Sequence, residues 1–430
     1  MSHNISFDLE HMTKVEGHAS LHVRIKNGVI EKAELDVEES ARFFEGILKG
    51  RRYDEAHRIT SRVCGICSIA HQMAALQAVE DALDVKVSEQ TNLLRDLLTH
   101  GMFLQNHVIH TYFFALPDYL GYSSALEMMK DYRDDIHLAL HLKKLGNLIM
   151  SAVGEREVHP ITPVIGGFSV PPKEEKLGSV REELLRWKDK MWRMVELAKM
   201  MDIPDFEMKQ EHFALSTDRD YTLLHGCIRS TEGESYRCET YKEHFTEYLE
   251  PYSTSKFVVK ESKSFLVGPL ARFNINHRFL SRDAKKVMKM FGLKPPVYNI
   301  YKANLVRVVE AFNSLDRSVE IINELLEKGL KQEKVSHIPK DGEGVGVVEA
   351  PRGLLYHWYR IKDRRIVKAD IVTPTAQNLK SMEDGIKKYL PEILDRGEDE
   401  IKLELEKMIR AFDPCFSCSA HFLELRINRT

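Results

Sequence analysis

No stretch of the sequence reaches the roughly 18 consecutive apolar residues that a membrane-crossing helix needs, so no direct membrane span is expected. The polar start from Met1 to Asp8 lacks the charged-then-apolar order of an export signal, which points to a cytoplasmic address. A charge excess is missing too. With 62 Lys and Arg against 65 Asp and Glu the formal net charge is -3, which leaves no electrostatic footprint for nucleic acid. Internal repeats, low-complexity tracts and Pro/Ser-rich linkers are absent, so nothing marks a place to divide the chain.

What is present is the composition of a globular protein: 430 residues, 43% hydrophobic and 30% charged. Apolar and polar residues alternate from Ser20 to Val37 on both sides of Asn27-Gly28, a hairpin signal. Helical periodicity covers Ala41 to Lys49, Ser68 to Leu83, Glu89 to near Phe114, and Val180 to Met200, the last opening with Ser179 and Glu182 in capping-box spacing. It returns from Tyr301 to Leu330 and from Met382 to Ile409. Gly342 to Ile371, rich in Gly, Pro and β-branched residues, reads as strands and loops, and Pro171 to Lys176 as a surface loop. The expected fold is mainly α with small peripheral β-sheets (α+β), in one domain over residues 1–430. Within it a hairpin region at 5–38 precedes a helical core at 39–340, a strand and loop region at 342–377, and a carboxy-terminal helix with a metal-binding tail at 378–430.

The six cysteines fall into pairs: Cys64 and Cys67, Cys227 and Cys238, Cys415 and Cys418. The first and last are C-x-x-C. In a large chain without a secretory signal, such pairs read as metal-binding or redox-active before they read as disulfides. Arg62-Val63-Cys64-Gly65-Ile66-Cys67-Ser68-Ile69-Ala70-His71 opens a helical stretch, so spacing of three puts both sulfurs on one face. Amides at a helix start favour thiolate over thiol. Asp413-Pro414-Cys415-Phe416-Ser417-Cys418-Ser419-Ala420-His421 repeats the pattern. Four thiolates select zinc, iron, copper(I) or nickel over magnesium or calcium. A thioredoxin-like redox pair would need a βαβ setting that neither motif has. A structural zinc site is the stronger rival, although the halves lie about 350 residues apart and zinc ribbons draw ligands from separations nearer about 20.

The two motifs resemble the R-x-C-G-x-C-x-x-x-H and D-P-C-x-x-C-x-x-H signatures of nickel-iron hydrogenase large subunits. Three more segments support the likeness, in the family's order and over almost the whole chain: Lys14-Val15-Glu16-Gly17-His18, Glu349-Ala350-Pro351-Arg352-Gly353, and Thr373-Pro374-Thr375-Ala376-Gln377-Asn378. The resemblance implies nickel bound by four cysteines and an iron carrying carbon monoxide and cyanide. Cys64 and Cys415 would be terminal nickel ligands and Cys67 and Cys418 bridges to iron. The activity implied is reversible heterolytic cleavage of hydrogen.

The other site roles follow from the same resemblance. Glu16 matches the proton gate beside the terminal cysteine of the second pair, although a lone Glu is ordinarily a solvated surface residue. Arg352 would stand over the metals, oriented by Asp413 and Asp118; the bland reading of Asp118 is a turn residue beside Pro117. Thr375 and the Pro351 region would bond the second cyanide. His71 would donate to a bridging sulfur, against the alternative of a satisfied core histidine. Glu45, His421 and a backbone carbonyl near Ile371 would bind magnesium or a further iron ion, unless Glu45 is simply an exposed helix charge.

Cys227 and Cys238 fit no family motif, and two cysteines are too few for an iron-sulfur cluster. Electrons would therefore leave through another polypeptide, which the resemblance implies is an iron-sulfur small subunit. The signal-less start and the S-C-S-A-H ending with a brief tail resemble cytoplasmic NADP-linked sulfhydrogenase-type enzymes. No G-x-G-x-x-G occurs, so additional iron-sulfur and flavin or NAD(P)-binding subunits are expected as partners. Residues Phe422 to Thr430 extend past the point where many family members are cut by a maturation protease. The rival functions are a zinc-stabilised scaffold and a relative of the quinone-site subunit of respiratory complex I, which lacks the nickel cysteines.

Overall fold

The structure is a computed structural model and describes residues 5–10, 12–27, 29–40, 43–334 and 336–420. The amino-terminal alternation forms an antiparallel three-stranded sheet of Ile5–Leu9, Ala19–Lys26 and Val29–Val37. Leu21, Val23, Ile25, Ala33, Leu35 and Val37 are all buried, as the period of two requires.

Three long helices form the body: Glu89–Ile109, Arg133–Gly154 and Ala303–Lys328. Ser88 caps the first, its hydroxyl accepting from Thr91 N–H at 3.0 Å. That helix continues as a π-helical turn, His110–Ala115. The Ser68–Leu83 helix keeps the bounds its periodicity predicts and is buried nearly all round.

Against it lies Gly342–Ala350, the first strand of an antiparallel meander with Gly353–Lys362 and Arg365–Val372. Gly342, Gly344 and Gly346 face Ala82, Ala78 and Ala74. A Cβ at these glycines would lie 2.5, 2.2 and 2.0 Å from the three alanine carbonyl oxygens. The spacing matches because four helical residues rise about 6.0 Å and two strand residues about 6.6 Å. The strand runs antiparallel to the helix, so it delivers Ala350 to the helix start, where Cys67 sits. Ala350 pairs with Gly353, which makes Pro351 and Arg352 the two-residue tip of a hairpin.

Three expectations are corrected. The helix expected from Val180 begins at Glu174. Ser179 is interior to it, with its hydroxyl bonded to the Glu175 carbonyl at 3.0 Å, and Pro171 to Lys176 is therefore partly helical. Glu174 and Glu175 supply the acidic first turn instead. The stretch from Met382 to Ile409 is two helices, Pro374–Tyr389 and Glu398–Phe412, separated at Pro391 and Gly397. The expected helical core also holds a four-stranded sheet of Leu266–Val267, His212–Ser216, Cys227–Ser230 and Ser235–Tyr236.

Candidate metal centre

Cys67 is the residue immediately before the Ser68–Leu83 helix, and its N–H points at Cys64 Sγ at 3.4 Å. Cys415 stands in the same relation to the short helix Phe416–Ser419. The chain ends meet here: Cys64 Sγ lies 3.7 Å from Cys415 Sγ, Cys67 Sγ 3.6 Å from Cys418 Sγ, and Cys415 Sγ 2.7 Å from Cys418 Sγ. All four thiols are buried and their sulfurs lie within 4.8 Å of one another. Such a donor set fits nickel and iron.

The second pair is brought to the first by the amino-terminal segment. Glu16 makes a parallel bridge with Cys415, and its carbonyl accepts from Phe416 N–H at 2.9 Å. Its carboxylate Oε2 accepts from Cys415 Sγ at 2.9 Å and from Ser417 N–H at 3.2 Å. Gly17 follows with φ 85°, and a Cβ there would meet Ser417 N at 2.8 Å, so the close approach needs glycine. Thr375 Oγ1 accepts from Cys415 N–H at 2.8 Å, which leaves its own hydroxyl proton free to donate.

Arg352 projects from the hairpin tip to Asp413, donating from Nε to the carbonyl at 2.6 Å and from Nη2 to Oδ1 at 2.9 Å. Its Nη1 is buried without a hydrogen-bond partner. Asp413 ends the Glu398–Phe412 helix at φ 54°. Its Oδ1 also lies 3.2 Å from His110 Nδ1, and Arg307 Nε is 3.9 Å from Oδ2. Burial pushes this carboxyl up, yet Arg352, His110 and Arg307 together hold it well below the usual carboxylate range. Among the thiols, hydrogen bonds from Cys415, Cys418 and Cys67 hold Cys64 well below the usual range, whereas burial pushes Cys415 well above it.

Asp118 is bonded to Arg410 and Lys14 and connects to Arg352 only through the Asp413 peptide. Its Oδ2 accepts from Arg410 Nη1 at 2.7 Å and its Oδ1 contacts the Lys14 ammonium. Arg410 in turn donates from Nε to the Thr13 carbonyl at 2.9 Å, and its carbonyl accepts from Asp413 N–H at 2.9 Å. Asp118 thus steadies the peptide that carries Asp413. The Pro351 carbonyl accepts from Arg272 at 2.8 Å.

His71 is pushed down to about 4 by burial. Its Nδ1 pairs with His357 Nε2 at 3.1 Å, and His357 Nδ1 with the Tyr359 hydroxyl at 2.5 Å. Nε2 remains as the nitrogen that a bond to a bridging sulfur would use.

Glu45 Oε1 accepts from the Ile371 N–H at 2.9 Å, which puts its carboxylate beside the peptide whose carbonyl is the expected third ligand. The Lys256 ammonium lies 3.1 Å from the same carboxylate and also pairs with Glu247 and Asp370. His421 lies outside the described residues.

Sequence reasoning missed His110, Arg307, His357 and Arg272. The one local sign was polar residues interrupting otherwise apolar faces, which alone does not name a partner. Cys227 is exposed and Cys238 half-buried, and neither belongs to the thiol cluster.

A family model described as nickel-dependent hydrogenase matches residues 42–139 and 227–421. Sulfhydrogenase 1 subunit alpha of Pyrococcus furiosus is 32% identical over 419 residues, covering 97% of this chain and 98% of that protein. The NAD-reducing hydrogenase HoxS subunit beta of Cupriavidus necator is 27% identical over 96% of this chain and 94% of its own length. In fold, the chain superposes on an NAD+-reducing NiFe hydrogenase in the H2-reduced state with a TM-score of 0.88 at 22% identity, covering 97% and 99% of the two chains. The Ni-Fe-Se hydrogenase of D. vulgaris Hildenborough gives a TM-score of 0.81 at 24% identity, over 97% and 100%. The agreement of family, fold and four converging thiols favours neither the zinc scaffold nor the complex I relative. The chain belongs to the nickel-dependent hydrogenase family as a catalytic large subunit.

Proposed function

We propose that this subunit splits and forms hydrogen reversibly at a nickel-iron centre held by Cys64, Cys67, Cys415 and Cys418, with Glu16 moving the proton and Arg352 presenting a fixed positive charge. In this reading Cys64, Cys67, Cys415 and Cys418 would together hold nickel and an iron carrying carbon monoxide and cyanide. The bound group supplies Lewis acidity that polarises dihydrogen and redox capacity that accepts its electrons. The Glu16 carboxylate, 2.9 Å from Cys415 Sγ, is close enough to take a proton from that sulfur directly. This contact is the observation that carries the proposal.

Arg352 cannot titrate away under working conditions, and the unpaired Nη1 offers a donor to an anionic diatomic ligand in a buried setting. The Thr375 hydroxyl and the Pro351 edge serve the second such ligand. His71 Nε2 donates to a bridging sulfur and tunes its basicity. Asp413 and, through Arg410, Asp118 keep Arg352 in place.

Magnesium or a further iron ion belongs beside Glu45, His421 and the Ile371 peptide. Three carboxylates, Glu45, Glu247 and Asp370, face two ammonium groups there, Lys256 and Lys242, one negative charge in excess that favours a hard cation. Electrons leave through an iron-sulfur small subunit. An open cavity of 890 Å³ adjoins the Cys64 segment through Arg62 and is lined by Phe44, Ile47 and Ile59 together with Arg52, Glu55 and Arg58, Ile47 being exposed; it is the face we assign to that partner. The named relatives suggest NAD(P) or another soluble carrier as the final acceptor, bound by further iron-sulfur and flavin subunits. Among the described residues no helix is long and apolar enough to cross a membrane; we assign the cytoplasm as the location.

Metal analysis of the purified complex tests this directly, with about one nickel per chain expected. Infrared spectra should show bands of metal-bound cyanide and carbon monoxide. Stoichiometric zinc without nickel, or nickel without those bands, would defeat the reading.

A further inference from the structure

A two-residue hairpin tip bonded only to its own strands would let the Arg352 guanidinium swing. The Pro269–Asn276 helix lies against this tip and carries Arg272, which is fully buried. All five Arg272 N–H groups are used. Nε donates to Glu310 Oε1 at 2.6 Å. Nη2 donates to Glu310 Oε2 at 2.9 Å and to the Pro351 carbonyl at 2.8 Å. Nη1 donates to Glu349 Oε2 at 2.8 Å and to the Ala350 carbonyl at 3.0 Å. Three of the five acceptors are therefore in the run directly before Arg352.

The anchor is itself tied down. Tyr221 OH donates to Glu310 Oε1 at 2.6 Å, His107 Nε2 lies 2.8 Å from Glu310 Oε2, and Glu349 Oε1 accepts from Leu215 N–H at 2.9 Å. From another side Gly268, with φ 113°, packs bare backbone on the tip; a Cβ there would lie 2.7 Å from the Arg352 carbonyl oxygen.

We propose that Arg272 is a positioning residue for Arg352: its planar fork grips the Glu349, Ala350 and Pro351 acceptors against the Glu310 anchor and so sets where the second guanidinium stands over the thiols. The proposal rests on the reading of Arg352 as the catalytic guanidinium. An ammonium could not replace the fork, because a point charge with three donors cannot span two carbonyls and two carboxylates at once.

The test uses the purified complex with its partner subunits, carrying R272K or G268A, each alone and combined with R352K. Nickel per chain, turnover per nickel and the infrared bands of the metal-bound ligands are measured. R272K should keep its nickel, shift the bands, and lose about 100-fold in turnover, the size that a displacement of about 1 Å costs. G268A, which moves the tip without touching a charge, should shift the bands in the same way. In the R352K background neither change should cost much more, because both act through the group already altered.

Fully additive losses would overturn the proposal, as would unchanged bands and turnover in both single variants. Nickel lost in step with activity in both would show the network supports the fold rather than Arg352. Full turnover in R352K alone would remove the reading of Arg352 and the proposal with it, whereas additivity removes the proposal only.

Discussion

Replacing Glu16 by Gln separates proton transfer from every other task of the centre. Gln has the same shape, and its amide oxygen can still accept from Ser417 N–H, now at 3.2 Å from Oε2. The backbone bridge to Cys415 is untouched, so the metals should be retained at wild-type content. What disappears is an oxygen that can carry a proton away from Cys415 Sγ at 2.9 Å. A positioned general base contributes about 10²–10⁴-fold, or about 2.7–5.4 kcal/mol at 1.36 kcal/mol per tenfold. Here the contact is direct and the carboxylate is held by a second donor, which places the expected loss in the upper half of that span, at about 10³-fold or more. Exchange of hydrogen with deuterated water, followed by mass spectrometry and normalised to nickel, measures the step. Glu16→Asp, one methylene shorter, should fall between wild type and Gln. Exchange unchanged in Glu16→Gln at full nickel content would refute the assignment of the proton to this side chain.

Gly346→Ala should destabilise the fold by at least about 3 kcal/mol, because its Cβ would lie 2.0 Å from the Ala74 carbonyl oxygen; a denaturation shift worth under about 1 kcal/mol would count against the packing described. Acid should destabilise the protein through its buried histidines. Burial lowers His57 and His71 to about 4 and His100 and His212 to about 3, so the unfolded chain binds more protons below its ordinary histidine value of 6.5. Their stabilisation is complete above that value and is lost as pH falls from 6.5 toward 4, with a slope of about 1.36 kcal/mol per pH unit for each group. Unfolding midpoints flat between pH 6.5 and 4.5 would contradict it.

How much of this was legible depended on how local the cause was. The Ser68–Leu83 helix and the Ala19–Val37 hairpin follow from periodicity and turn chemistry within a few residues, and both formed as read. The two C-x-x-C motifs declared their sulfurs, and the resemblance to a known family placed Glu16 and Arg352 in segments that the fold brings to those sulfurs. Ser179 misled because a capping pattern of Ser and Glu also suits a helix interior, where the hydroxyl bonds back to a carbonyl four residues earlier. The motif does not reveal that Asp118 reaches Arg352 through Arg410, because which of Arg352, Arg410 and Lys14 it meets is settled by how the Leu116–Leu120 helix docks. Arg272 is a harder case still: its partners stand 38 to 79 positions away, and no short pattern marks it.

The glycine-alanine seam between the Ser68–Leu83 helix and the Gly342–Ala350 strand acts like a toothed rack. Where backbone meets backbone so tightly, sliding by a fraction of a repeat drives each Cα into a carbonyl, so the two elements can shift only by whole teeth of about 6 Å. One such step would carry the hairpin tip clear of the first cysteine pair. The register of strand on helix, which decides which stretch of chain stands over the Cys64–Cys67 pair, is therefore fixed to one tooth by residues that take no part in the chemistry, while finer placement of Arg352 is left to the contacts at the hairpin tip.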